Sequence, residues 1–203
     1  MSLSIGTSSG FVVVSPTLDP AESGTLIADN WAIVTHDTSP ITATIITEMG
    51  WWCSSATEEA NYEVGLYAAD GVVVPGEAGT ILYSSVTNAK GTTSGWKKVT
   101  GLSWSISPST SYWLGIQCDS TVTATLIDAV GSGASGYDSR SGQSTLPNPF
   151  SGGTIDPDGM VAIYAVWSVG LANLKTYNTN AKTNIKTINT NVIANVKTLN
   201  TNA

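Results

Sequence analysis

Short stretches rich in Val, Ile, Thr and aromatic residues recur through the first 170 residues, with turn residues between them. Such stretches predict strands, and no long amphipathic helical pattern interrupts them. The predicted strands are Phe11 to Val14, Thr25 to Ile27, Trp31 to Thr35, Ile41 to Cys53, Tyr62 to Ala68 and Thr80 to Ser85, followed by Trp96 to Val99, Leu102 to Ile106, Ser111 to Cys118, Val122 to Ile127 and Met160 to Val169. Turns are marked by Asp70-Gly71, Pro75-Gly76, Ser94-Gly95, Ser107-Pro108 and Asp158-Gly159, which supply the backbone angles a tight turn requires. Many short strands make a sandwich or a barrel. In SYWLGIQC, Tyr112, Leu114, Ile116 and Cys118 share one parity and are assigned to the core, whereas Trp113, Gly115 and Gln117 form a mixed face. In ITATIITEMGWWC the alternation breaks around Gly50, which predicts a bulge or bend that re-aims Trp51 and Trp52.

A different period takes over at the end of the chain. From Leu174 the sequence repeats every eleven residues as LKTYNTNAKTN, IKTINTNVIAN and VKTLNTNA. Its apolar positions are Leu174, Tyr177, Ala181, Ile185, Ile188, Val192, Val196 and Leu199, ending at Ala203. On a helix an eleven-residue period gives a right-handed supercoil. A stripe so narrow must be covered by copies of itself or by another surface, so the tail from 171 to 203 is predicted to be an assembly element, in a homotrimer or larger array. Thr and Asn make up half of these thirty residues. Each costs about 0.6 kcal/mol relative to Ala inside a helix, roughly 10 kcal/mol over the tail, which keeps an intertwined or solenoid β structure as a rival to the helix.

Composition sharpens the division. The last 33 residues hold Lys175, Lys182, Lys186 and Lys197 and no acid, so the body carries 15 acids against four bases, a charge of −11, and the tail +4. An acidic body is a poor partner for nucleic acid, whose phosphates need a basic face. Abundant Gly, Ser and Thr, few charges (11%) and seven Trp describe a β-rich module of the extracellular kind. The N-terminus MSLSIGTSSG lacks the basic region of an export signal, and its run FVVV is too short to span a membrane. A protein of outside character without an export signal is what a virion component looks like, and the expected location is the virion surface or the extracellular space.

The order of four pieces carries a family resemblance: GLYAADG at Gly65 to Gly71, Pro75-Gly76 before TILYSS, SGWKKVTGLSWSI at Ser94 to Ile106, and SPSTSYWLGIQ at Ser107 to Gln117. In this order they resemble jelly-roll β-sandwich modules of phage virion proteins and bacterial surface proteins, often found beside carbohydrate-binding domains. The tail is similar to the short repeats that end many phage structural proteins. The resemblance implies an all-β, jelly-roll-like antiparallel sandwich over residues 1 to 170 with an oligomerising repeat tail. It also implies a non-enzymatic structural or adhesive role in a phage virion, as a head or tail fibre or decoration subunit beside other virion proteins. A carbohydrate-binding module of a bacterial surface protein is the alternative.

Candidate chemistry is sparse. The only acid-base pairing with a histidine is His36 with Asp37, and neighbours on a strand point to opposite faces. With one histidine there is no Cys/His cluster for zinc. Cys53 and Cys118 both end predicted strands and are expected as neighbours in one sheet, either bonded or as two buried thiols. Asp156 and Asp158, joined by Pro157 and followed by Gly159, form a candidate calcium site, although the chain lacks a full twelve-residue calcium loop. No other cofactor is expected. Trp51, Trp52, Trp96 and Trp104 are candidates for stacking on the sugar rings of a cell-surface glycan. The segment from Gly131 to Gly159, rich in Gly, Ser, Pro and Asn, is predicted to be a long surface loop. Its Tyr137 and Arg140, with Gln143, Asn148 and Phe150, are recognition candidates, and a flap packed on the sandwich or on a neighbouring subunit is the other reading.

Overall fold

A computed structural model of the chain describes residues 2–21, 24–55, 58–71, 76–122, 125–130 and 136–170. The residues up to Val169 form one compact unit. The repeat tail, with all of its predicted assembly positions from Leu174 to Leu199, lies outside the described residues, as does Pro75 of the predicted Pro-Gly turn.

Among the described residues all regular structure is strand. In chain order the strands are β1 Gly10–Val12, β2 Gly24–Ile27, β3 Trp31–Thr38, β4 Ile45–Ser55, β5 Asn61–Ala68, β6 Ile81–Ser84 and β7 Asn88–Ala89. They continue with β8 Gly95–Ser105, β9 Ser111–Cys118, β10 Leu126–Val130, β11 Tyr137–Ser141, β12 Thr154–Asp156, β13 Met160–Val161 and β14 Ile163–Ser168. One sheet runs β1-β14-β4-β10-β13, with β2 beside β10 and β8 beside β4; the second runs β12-β11-β3-β9-β5-β6, with β7 beside β5. Every ladder between these strands is antiparallel except β1 on β14. The chain changes sheet between β2 and β3, β3 and β4, β4 and β5, β7 and β8, β8 and β9, β9 and β10, β10 and β11, and β12 and β13. The two sheets therefore grow together, and each supplies half of one core.

That core follows the strand period. Ile33 of β3, Val64 and Leu66 of β5, and Leu114, Ile116 and Cys118 of β9 meet Ile46, Met49, Trp51 and Cys53 of β4 and Ile163 and Ala165 of β14, all fully buried. Each such side chain stabilises the fold by about 1.5–3 kcal/mol relative to exposure. Cys53 and Cys118 thus sit on opposite sheets, and not side by side in one as the sequence suggests; both are buried and neither is in a disulfide. Burial pushes the Cys118 thiol well up, and Cys53 adds to the effect.

Three sequence expectations are corrected. The irregularities in β4 are at Thr47 and Ser54, not Gly50: the register against β14 shifts between Val166 and Trp167, so Ile46 and Met49 both face inward, and the register against β10 shifts between Leu126 and Ile127, which skips Ser54. Gly50 lies in regular pairing, and its missing side chain is explained by close approach, since a Cβ there would stand 2.6 Å from the Lys97 carbonyl and 2.8 Å from the Tyr164 ring. The stretches Trp96 to Val99 and Leu102 to Ile106 form one strand, β8, because Gly101 takes a left-handed φ of 74° and Thr47 faces a bulge there. The segment 131–159 is not a single loop. It holds β11, paired to β3 and β12, and its Leu146 and Phe150 are buried against Tyr67, Trp113 and Ala78. The part of this segment between β11 and β12 is a flap that closes the outer face of the second sheet, which is why the mixed face of β9 is also buried.

Candidate functional site

The outer face of the first sheet carries an aromatic row. Parity sends Trp52 of β4, Trp96 of β8 and Tyr164 of β14 to the side opposite the core. Trp52 and Trp96 meet edge to face with centroids 5.4 Å apart, and Trp96 meets Tyr164 the same way at 5.2 Å. The N-terminal segment lies over this row: the Trp96 indole N–H donates to the Leu18 carbonyl at 2.9 Å, and Ser15 Oγ donates to Glu48 Oε1 at 2.6 Å. Leu3 packs there with Met160 and Ala162.

Beside that segment lies an open cleft of about 410 Å³. Trp52 and Ser54 of β4, Thr25 of β2 and Asp128 of β10 line it, the last two directly paired across their ladder. Asp19, Ala21 and Ser94 complete its lining. Asp19 Oδ1 accepts from the Ala21 N–H at 2.6 Å, and Ala21 takes a positive φ of 55°. Ser54 Oγ is buried and has no hydrogen-bond partner within the protein. Two carboxylates, three hydroxyls and an indole in one open cleft suit a small polyhydroxylated ligand with an apolar face.

The other predicted residues are placed differently. Trp51 is fully buried, edge to face on Tyr62 at 5.8 Å, and offers no surface to a ligand. Trp104 stacks on Tyr83 of the opposite sheet, 9° from parallel with centroids 5.5 Å apart, and packs against the core. Tyr137 is half-buried against the same core. Arg140 stands on the opposite parity of β11, with Asp138. Asp138 is buried; burial and the nearby Glu77 push its carboxyl up to about 6, against the Ser139 N–H and Arg140, which pull it down. Asp138 Oδ1 and Glu77 Oε1 are both buried without hydrogen-bond partners. Asp156 Oδ1 accepts from the Asp158 backbone N–H at 3.1 Å, a local turn, and among the described residues no group of three or more His, Cys, Asp or Glu is arranged to hold a metal.

His36 and Asp37 are engaged separately. The imidazole packs on Trp113 with centroids 5.1 Å apart, while Asp37 accepts from the Phe11 N–H at 2.8 Å and the Thr38 N–H at 2.7 Å. Among the described residues no helix is long and apolar enough to cross a membrane. Of the residues the sequence singles out, Trp52 lines the cleft and Trp96 packs against Trp52, whereas Asp19, Ser54 and Asp128, which also line it, are not singled out. The available signal was the single carboxylate inside the apolar run LIDAV.

Comparison with protein-family models, with curated proteins and with solved structures returns no match to this chain.

Proposed function

We propose that the chain is a non-enzymatic structural and adhesive protein of a phage virion, a fibre or decoration subunit in which a jelly-roll-like sandwich is displayed outward on a homo-oligomeric repeat tail. The observation that carries the reading is the contrast between the two parts of the chain. The body buries its own core between its two sheets, whereas the tail repeats one apolar stripe that it has no means of burying alone. The frequent crossing of the chain from sheet to sheet supports the jelly-roll connection pattern. The cleft beside Trp52 supports adhesion, because an aromatic wall with polar groups is how a surface module holds a sugar.

The same cleft favours a second reading, a carbohydrate-binding module of a bacterial surface protein. Native mass spectrometry of the full chain separates the two. A defined homomeric assembly, a trimer or larger, is expected for the virion subunit; a monomer that still binds glycan would leave only the module.

A further inference from the structure

We propose that the cleft lined by Trp52 and Asp128 binds a single neutral or amine-bearing sugar unit and rejects acidic sugars, a specificity that rests on the adhesive part of the reading above. A volume of about 410 Å³ is at the lower end of the range of small-molecule sites and fits a monosaccharide. Trp52 supplies the apolar wall against which the C–H face of a pyranose packs. Its orientation is fixed by the edge-to-face contact with Trp96, whose indole N–H is in turn held by Leu18.

The polar groups define the sign. Among the described residues, Asp19 and Asp128 are the charged residues of the lining, and no Lys, Arg or His joins them. Carboxylates accept hydrogen bonds from sugar hydroxyls, and they do so more strongly from an ammonium group. A uronate or sialate brought to the same place meets two like charges. Ser54 Oγ, buried at the cleft and without a partner in the protein, is a hydroxyl left to be completed by something that enters. Asp128 is 2% exposed and is held on a central strand between β2 and β4, so the acceptor is positioned before the ligand arrives.

The test is isothermal titration of the full-length protein at pH 7 with glucose, galactose, N-acetylglucosamine, glucosamine and glucuronate. Binding of one or more neutral sugars is expected, with glucosamine at least as tight as glucose and glucuronate unbound. Trp52→Ala should weaken binding about tenfold or more. Thr25→Trp, at an exposed edge position on β2, should block the cleft with no change in melting temperature, which separates loss of the site from loss of the fold. Asp128→Asn should weaken glucosamine binding relative to glucose. Sugar binding that survives both Trp52→Ala and Thr25→Trp would place the site elsewhere, overturning this inference while leaving the adhesive reading intact. Binding of glucuronate in preference to glucose would overturn the charge argument, and no binding of any of the five sugars would overturn the site itself, with the native mass still deciding the structural role.

Discussion

Tyr164 and Glu48 are joined across the β14–β4 ladder: the phenol hydroxyl donates to Glu48 Oε1 at 2.5 Å while the Tyr164 ring lies over Gly50, two residues further along the same strand. One carboxylate thereby ties three segments, since Ser15 donates to the same oxygen and Lys98 approaches the other at 3.8 Å. The ammonium of Lys98 is half exposed, so its share is small. Burial and the hydrogen bond to Glu48 push the Tyr164 hydroxyl far up, keeping it a donor at all ordinary pH.

Tyr164→Phe should therefore destabilise the body by about 2 kcal/mol, the worth of a hydrogen bond to a charged group. Gly50→Ala should cost more, because its Cβ would press on the Lys97 carbonyl and neither β4 nor β8 can move away. Urea unfolding of the two variants checks the order.

Trp104→Ala should lower stability by about 2 kcal/mol and leave sugar binding unchanged. The indole is stacked on Tyr83 and helps close the sandwich where β6 and β8 end their sheets. Calorimetry beside the sugar titration shows whether the two effects separate as stated.

Lys90 is buried, with its ammonium donating to the Glu58 carbonyl at 2.6 Å and the Gly91 carbonyl at 3.2 Å. Lys90→Met keeps the stem but leaves both carbonyls short of a donor, at a cost of about 1–3 kcal/mol. The urea midpoint should fall with the slope unchanged.

The Asp138 carboxyl is raised from 3.8 to about 6 in the folded protein. The native state therefore holds this proton more tightly than the unfolded chain, and the associated stability is fully present below pH 3.8 and lost as pH rises through about 6. Asp37 is shifted in the same direction. Asp70, held low by the Thr80 N–H, acts with the opposite sign, but only below its ordinary value of 3.8. Melting temperature should thus be higher at pH 5 than at pH 7.5, and Asp138→Asn should flatten that difference and raise the value at pH 7.5.

The strands that sequence shows well are those whose alternation is driven by the central core. Ser111–Cys118 is predicted residue for residue, and β3, β5 and β6 differ only at their ends. What sequence hides is order imposed from outside the segment. Tyr137–Ser141 has no apolar alternation, and it is a strand because β3 and β12 pair with both its edges. Gly50 looks like a bend because a close-packed Tyr164, more than a hundred residues away, leaves no mark beside it in the sequence. The cleft is legible only through Trp52, since Asp19, Ser54, Ser94 and Asp128 come from four separated segments.

We propose that the body folds by itself and that the tail joins copies of the chain into a particle. Light scattering of the full chain and of a chain ending at Gly170 tests it most directly. A homotrimer or larger assembly is expected for the full chain, and a monomer with an unchanged body melting temperature for the truncated one. A truncated body that keeps the full-length oligomeric state would contradict it.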